Sequence, residues 1–142
     1  MLRGEEGGGF TTIDLLALQR PTGAGTLYKY GAAPSYLKRG GCVTRVTGQS
    51  LPAGLQQGAD SPESTRLSLQ AGSFFVMVSD GVADETDDEW LQNLMAGWSG
   101  QSAEALVSLI LSESRTRRGL RDDCAVLVLH LPKMEDSPPR QV

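Results

Sequence analysis

The sequence contains few of the residues that mark several common protein classes. It has two cysteines, Cys42 and Cys124, a single histidine, and only 6% aromatic residues. Two cysteines far apart in the chain, without a CxxC or Cys/His ligand pattern, exclude a disulfide scaffold and a structural zinc site. We therefore expect both thiols to be reduced, as is typical of a cytosolic protein.

Basic residues and long apolar runs are also scarce. The chain has 13 Lys and Arg against 17 Asp and Glu, which gives a formal net charge of −4. Proteins that bind nucleic acids or anionic membranes normally show a basic excess, so we expect neither partner. No apolar run approaches the ~20 residues of a membrane span, and the N-terminus has no signal core. We expect a cytoplasmic chain, although a longer protein could be tethered to a membrane through upstream segments.

The chain length corresponds to one ordinary domain. Its 142 residues include 17 Gly and 7 Pro, which indicates many turns. Residues 1–9 end in three glycines and predict a flexible lead-in, and residues 132–142, with two consecutive prolines, predict a disordered tail. The folded part is therefore expected to span residues 10–131.

Short strands are predicted in the first half of the chain. Four of them, at 10–18, 26–30, 35–38 and 43–46, are joined by turns that contain Gly or Pro, as in an antiparallel meander. Residues 47–64 predict a loop, which a short strand at 66–69 follows. Residues 73–79 (SFFVMVS) are apolar on both faces and predict a buried central strand.

Two helices and a last strand are predicted in the second half. Thr86 and Glu89 have the spacing of a capping box, and the apolar stripe that follows them predicts a helix. A second helix is predicted to begin at Ser102 and to end at Gly119 after a basic turn. Residues 124–131 (CAVLVLHL) predict another buried strand.

Acidic residues lie at the ends of the two most apolar strands. Asp80 directly follows residues 73–79, and Asp122 and Asp123 directly precede residues 124–131. If these strands are antiparallel neighbours, the acids share one edge of a sheet, where close carboxylates repel unless a cation lies between them. Oxygen ligands without His or Cys favour Mg²⁺ or Mn²⁺. Each motif taken alone also fits a simple turn.

The motifs taken together resemble a known family. Residues 76–82 (VMVSDGV) and 121–126 (RDDCAV) resemble metal-dependent (type 2C-like) protein serine/threonine phosphatases. The likeness is strongest to the phosphatase domain of stage II sporulation protein E, with a similar KYGAAPSYLKRGG stretch at 29–41 and an SLPAG turn at 50–54. It runs from about residue 10 to residue 131, which is most of the chain.

The resemblance implies an α+β fold, namely an α-β-β-α sandwich of two antiparallel sheets flanked by helices. It implies two Mn²⁺ or Mg²⁺ ions at one end and a metal-activated water that attacks phosphoserine or phosphothreonine. By the same resemblance Asp80 and Asp122 are metal ligands, Gly81 packs next to the site, and Asp123 is a neighbouring, non-ligand position. The implied substrate is a phosphorylated regulatory protein in sporulation, of the anti-sigma-factor antagonist type, which controls a sigma factor.

Two departures from the family pattern affect what we expect of this chain. Cys124-Ala125 stands where the family usually has Met-Thr. The family also has an upstream Asp-Gly motif, whose carboxylate bridges both metals, and Asp14 does not match it because it lies within a strand pattern. We therefore expect a partial phosphatase domain without its N-terminal segment, and little or no turnover by this chain alone.

Two charged runs flank the candidate site. The run 80–89 holds six carboxylates and the run 115–121 holds four arginines. For the acids other than Asp80 we expect a solvated helix N-terminus. A helix C-terminus accounts for three of the arginines, with contact to an acidic or phosphorylated partner as the alternative.

Two other hypotheses compete with a phosphatase. The chain could be a non-catalytic binding or dimerisation module that keeps the sandwich without the chemistry. It could also be a generic α/β protein without a site, which would require Asp80 and Asp122 to lie far apart. Because a half-sandwich exposes sheet surface, homodimerisation is expected as well.

Overall fold

The computed structural model describes residues 11–20, 22–48, 63–119 and 123–133. The predicted lead-in and nearly all of the predicted tail lie outside these residues. Strands and helices follow one another in this order: β1 Ile13–Leu18, β2 Ala24–Tyr30, β3 Ser35–Arg39, β4 Cys42–Val46, β5 Glu63–Ser68, β6 Phe74–Val78, α1 Glu89–Gly97, α2 Ala103–Arg118 and β7 Val126–His130. The expected helices and strands are thus confirmed, with bounds shifted by a few residues.

The strands form two antiparallel sheets. A three-stranded sheet has the order β1-β2-β5, and a four-stranded sheet has the order β4-β3-β6-β7. The predicted hairpin turn between β3 and β4 is confirmed, since Arg39 pairs with Cys42 and Gly40 takes a positive φ of 56°. The expectation of one meander is wrong, because residues 31–34 carry the chain from the first sheet to the second.

Alternating side chains on the four-stranded sheet build two separate cores. On β3, Leu37 points between the two sheets, whereas Tyr36 points to the helices. The core between the sheets is built on these buried residues: Leu27, Leu37, Val46, Leu69 and Phe75. The core under the helices contains Tyr36, Phe74, Val76, Val78, Val82, Ala83, Trp90, Leu91, Met95, Leu106 and Ile110. The four-stranded sheet is therefore covered on both faces at β6, which accounts for the apolar run of that strand. The expectation of a buried last strand is wrong, because β7 lies at the edge of the sheet and its Leu127 is 56% exposed.

The ends of α2 follow the predicted capping rules. Ser102 accepts a hydrogen bond from the backbone N–H of Ala105 at 3.2 Å. Gly119 has a φ of +72° and donates its N–H to the carbonyl of Arg115 at 2.9 Å. A side-chain N-cap and a left-handed glycine at the C-terminus therefore define this helix.

The capping box predicted for α1 is wrong. The helix begins at Glu89, and its N-cap residue, Asp88, makes no side-chain capping hydrogen bond. The hydroxyl of Thr86 instead donates to Asp84 Oδ1 at 2.7 Å. Local hydrogen bonding by Thr and Asp side chains has replaced the helix cap here.

The layers of the fold follow from these contacts. In the described part of the chain the helices cover one face of the four-stranded sheet, and no helix covers the outer face of the three-stranded sheet. On that outer face the side chains of Ile13 and Leu15 remain 43% and 57% exposed. The described residues thus form three layers of the expected sandwich, and the homodimer remains a prediction. None of their helices is long and apolar enough to cross a membrane.

Two leucines of α2 differ in burial, and we therefore expect their replacement by alanine to differ in its cost to stability. Leu106 is fully buried in the core under the helices, whereas Leu109 is 40% exposed. We expect Leu106→Ala to lower the free energy of unfolding by about 2–5 kcal/mol, because it leaves a cavity. The control Leu109→Ala should cost less than about 1 kcal/mol. Urea denaturation measures both, and equal losses would contradict this placement of the helix.

The single histidine of the chain makes the stability depend on pH. His130 stacks on Phe74 with ring centroids 3.9 Å apart, and its Nε2 is buried without a hydrogen-bond partner. Burial lowers the pKa of His130 below its ordinary value of 6.5. The unfolded chain then binds a proton that the folded chain does not, so the free energy of unfolding should fall as the pH drops through 6.5. Denaturation at pH 7.5 and 5.5 should show this loss, and His130→Phe should reduce it. An unchanged slope in the variant would refute the assignment.

Candidate metal-binding edge

The candidate site lies at the edge that β6 and β7 form together. These strands pair antiparallel, with Val78 opposite Val126, which is the arrangement that the shared edge requires. The ladder continues one residue further, because the N–H of Ser79 donates to the carbonyl of Ala125 at 2.9 Å. Asp80, the next residue, therefore lies at the same edge of the sheet as the segment that leads into β7.

Two further hydrogen bonds tie these chain segments together. The hydroxyl of Ser79 accepts from the N–H of Ala125 at 2.9 Å and donates to the carbonyl of Asp123 at 3.4 Å. The thiol of Cys124 donates to the carbonyl of Gly81 at 3.4 Å. The segments on either side of the edge are thus joined directly behind the exposed acids.

The structure places three of the four predicted site residues. Asp80 and Asp123 are exposed at this edge, and Gly81 is buried beside them. Asp122 lies outside the described residues. The carboxylates fit the oxygen ligands that Mg²⁺ and Mn²⁺ prefer. Nowhere in the described ranges do three or more His, Cys, Asp or Glu side chains cluster as a metal site would require.

The loop between β6 and α1 is held by buried polar contacts, which the sequence did not indicate. Asp88 is only 6% exposed. Its Oδ2 accepts a hydrogen bond from the hydroxyl of Tyr36 at 2.7 Å and forms an ion pair with Arg45 Nε at 2.7 Å. Its Oδ1 accepts from Gln92 at 3.2 Å. The expectation that this acid is solvated is therefore wrong.

The same contacts perturb Tyr36 and hold the loop at a second point. Burial, reinforced by the Asp88 carboxylate, raises the pKa of Tyr36 far above its ordinary value, so the phenol remains a hydrogen-bond donor. Arg45 also donates through Nη2 to the carbonyl of Glu85 at 3.0 Å. Strands β3 and β4 thus fix the far side of the acidic loop.

The other side of the loop is held by the last residue of α2. Arg118 donates through Nη1 to the carbonyl of Asp80 at 2.9 Å. Its Nη2 lies 3.3 Å from Asp84 Oδ2 and 3.2 Å from Asp87 Oδ2. Arg117, next to it, lies 5.5 Å from the ring centroid of Trp90. Two of the arginines near this helix end therefore serve contacts within the chain.

A buried ion pair lies between the sheets at the same end of the molecule. Lys29 Nζ contacts Asp14 Oδ1 at 2.6 Å, the carbonyl of Ala33 at 2.7 Å and Ser35 Oγ at 3.2 Å. Ser35 pairs with Met77, near the end of β6, which places this cluster at the end that carries Asp80. Asp14 is therefore engaged by a lysine in its own sheet, and the cluster joins the two sheets next to the candidate site.

The contact between Tyr36 and Asp88 can be tested by removing one oxygen atom. We expect Tyr36→Phe to lower the free energy of unfolding by about 1–3 kcal/mol, because a buried carboxylate loses a donor. The control Tyr28→Phe, at a half-buried position on the other sheet, should change it by less than about 0.5 kcal/mol. Thermal and chemical denaturation measure both variants. Similar effects of the two would contradict the buried hydrogen bond.

Comparison with known proteins identifies a matching family. The family model described as stage II sporulation protein E matches residues 1–132. The curated protein of that name from Bacillus subtilis is 30% identical over 129 residues, and the match covers 86% of this chain and 16% of the relative. The protein of that name from Priestia megaterium is 27% identical over 140 residues, covering 91% and 24%. The chain thus spans less than a quarter of the length of these relatives.

Solved structures show the same fold. The phosphatase domain of the cell fate determinant SpoIIE from Bacillus subtilis, presoaked with Mn, superposes with a TM-score of 0.73 at 25% identity, covering 93% of this chain and 63% of that domain. The catalytic domain of the serine/threonine protein phosphatase PstP, in complex with 2 manganese ions, gives a TM-score of 0.60 at 19% identity, covering 82% and 57%. The two sheets and two helices of this chain therefore match part of a phosphatase domain.

Proposed function

Because the chain belongs to the stage II sporulation protein E family, we propose that it forms part of a metal-dependent phosphatase that hydrolyses phosphoserine or phosphothreonine on a regulatory protein. Because it is a member of this family, the chain is classified as a phosphatase. The observation that carries the proposal is the β6–β7 pairing, which brings Asp80 to the edge where Asp123 enters the last strand.

In this proposal Asp80 and Asp122 hold Mn²⁺ or Mg²⁺. Such ions, when bound in pairs, lower the pKa of a water and neutralise charge on phosphoryl oxygens. The contribution of this chain is the placement of its carboxylates. Ser79 joins the segments that carry them, Gly81 packs behind Asp80, and Asp123 is a neighbouring, non-ligand residue.

The substrate in this proposal is a phosphorylated regulatory protein of the anti-sigma-factor antagonist type. The match to a sporulation protein over residues 1–132 supports this class. The chain covers 63% of a solved phosphatase domain of the family, so further ligands would come from residues beyond it. We therefore propose that the chain alone binds Mn²⁺ weakly and has little or no turnover.

The proposed ligands can be tested by Mn²⁺ titration. We expect Asp80→Asn and Asp122→Asn each to weaken Mn²⁺ binding by at least about tenfold, since even residues behind metal ligands typically contribute that much. The control Glu89→Gln removes one exposed carboxylate from the same acidic run and should change the affinity by less than about threefold. Electron paramagnetic resonance of free Mn²⁺ measures all four proteins at low ionic strength.

The outcomes distinguish the proposal from a binding module. Equal losses in all three variants would show that Mn²⁺ is attracted by the general acidity of the loop, which would overturn the ligand assignment. Undetectable Mn²⁺ binding by the unsubstituted chain up to millimolar concentration would favour a non-catalytic module with the same fold.

A further inference from the structure

The acidic loop after β6 is joined to the end of α2 by one guanidinium. Arg118 reaches back across 38 residues of sequence to the carbonyl of Asp80, at 2.9 Å. Its other terminal nitrogen lies within 3.3 Å of the carboxylates of Asp84 and Asp87. The residue thus contacts the main chain of a proposed metal ligand and two acids that are not proposed ligands.

The geometry of these contacts calls for arginine in particular. A guanidinium presents several donors in a rigid plane, whereas an ammonium is a compact charge on a flexible stem. Arg118 uses Nη1 for a carbonyl and Nη2 for two carboxylates, so its plane is oriented by three acceptors. The side chain of Asp87 is 61% exposed, and exposed ion pairs contribute little to stability. Arg118 therefore orients the loop through its hydrogen bond to the Asp80 carbonyl together with its ion pair to Asp84.

Hydrogen bonds within the loop orient one of these acceptors, the carboxylate of Asp84. The N–H and the hydroxyl of Thr86 both donate to Asp84 Oδ1, at 2.8 and 2.7 Å. These hydrogen bonds, with the contribution of Arg118, lower the pKa of Asp84 below its ordinary value. Asp84 is thus held ionised, with Oδ2 directed at the guanidinium.

Arg118 also has a particular place in the chain. It is the last residue of α2, and Asp122 follows four residues later. One side chain therefore connects the main chain of Asp80 to the last turn of α2.

We propose that Arg118 is a positioning residue for the metal site: it holds the main chain of Asp80 against the end of α2 and so fixes where the Asp80 carboxylate lies at the sheet edge. This inference rests on the proposed function. It assigns to the basic turn of α2 a role within the molecule in place of a partner contact.

The charge of Arg118 allows its positioning role to be distinguished from a simple electrostatic effect. Replacing Arg118 by Met removes one positive charge near the site, and Coulomb attraction alone would then strengthen the binding of a divalent cation. Loss of positioning predicts the opposite. The matched control is Arg115→Met, because Arg115 is an exposed residue in the same last turn and carries the same charge.

Two measurements on the whole chain test the proposal. We expect Arg118→Met to weaken Mn²⁺ binding about 10-fold or more, Arg118→Lys to restore part of the loss, and Arg115→Met to leave binding unchanged or slightly stronger. Without metal, hydrogen exchange of the amides of 80–88 should accelerate in Arg118→Met and remain unchanged in Arg115→Met. Circular dichroism checks that each variant is folded.

Each outcome has a distinct meaning. Unchanged or tighter Mn²⁺ binding in Arg118→Met, while Asp80→Asn weakens it by at least about tenfold, would overturn the positioning role. Equal weakening in Arg115→Met would overturn it as well. If Asp80→Asn leaves Mn²⁺ binding intact, the proposed function fails. In that case faster exchange in Arg118→Met would still establish the loop contact, and unchanged exchange would refute it.

Discussion

The pairing of β6 with β7 is the constraint on which the rest of the molecule depends. β6 is apolar on both faces, because helices cover one face of its sheet and the second sheet covers the other, and β7 adds partly buried residues to both cores from the sheet edge. A register slip by one residue would exchange the side chains of the two cores. The register in which Val78 faces Val126 is therefore strongly determined. It also determines which residues emerge at the edge, namely Asp80 and the segment that leads into β7.

Two arginines, which approach from different elements, form ion pairs with carboxylates of the acidic loop. Arg45 pairs with the buried Asp88 from β4, and Arg118 approaches Asp80, Asp84 and Asp87 from the end of α2. A buried carboxylate without partners would be strongly destabilising. The loop can therefore keep a defined path although it carries many like charges, and Asp80 is left exposed at its beginning.

Much of the fold could be predicted from local patterns. The alternation of apolar residues located the strands, and Ser102 and Gly119 marked the ends of α2 because capping depends on neighbours in sequence. The division of β1 to β4 between two sheets could not be predicted, since hairpin signals do not report which sheet a hairpin joins. The failed capping box at Thr86 has a similar cause, as Asp84 competes for its hydroxyl.

The candidate site was predictable only in part. The spacing of Asp80 and Asp122–Asp123 around two apolar strands indicated a shared edge if those strands were antiparallel neighbours. The strands do pair in this way, which brings Asp80 and Asp123 to one edge, whereas the ligand roles stay predictions. The contacts of Arg45 and Arg118 were not visible, because each joins residues far apart in sequence. An inward-facing lysine in a strand, such as Lys29 at 1% exposure, was the one available signal, since buried lysines require partners.

The central claim is that this edge holds the metal. Paramagnetic broadening of backbone amide resonances by substoichiometric Mn²⁺ tests it most directly, because the effect depends on distance and detects weak binding. We expect selective broadening at residues 79–81 and 123–125. Uniform broadening along the acidic run 84–89, with the amides of Ser79 and Cys124 unaffected, would contradict it.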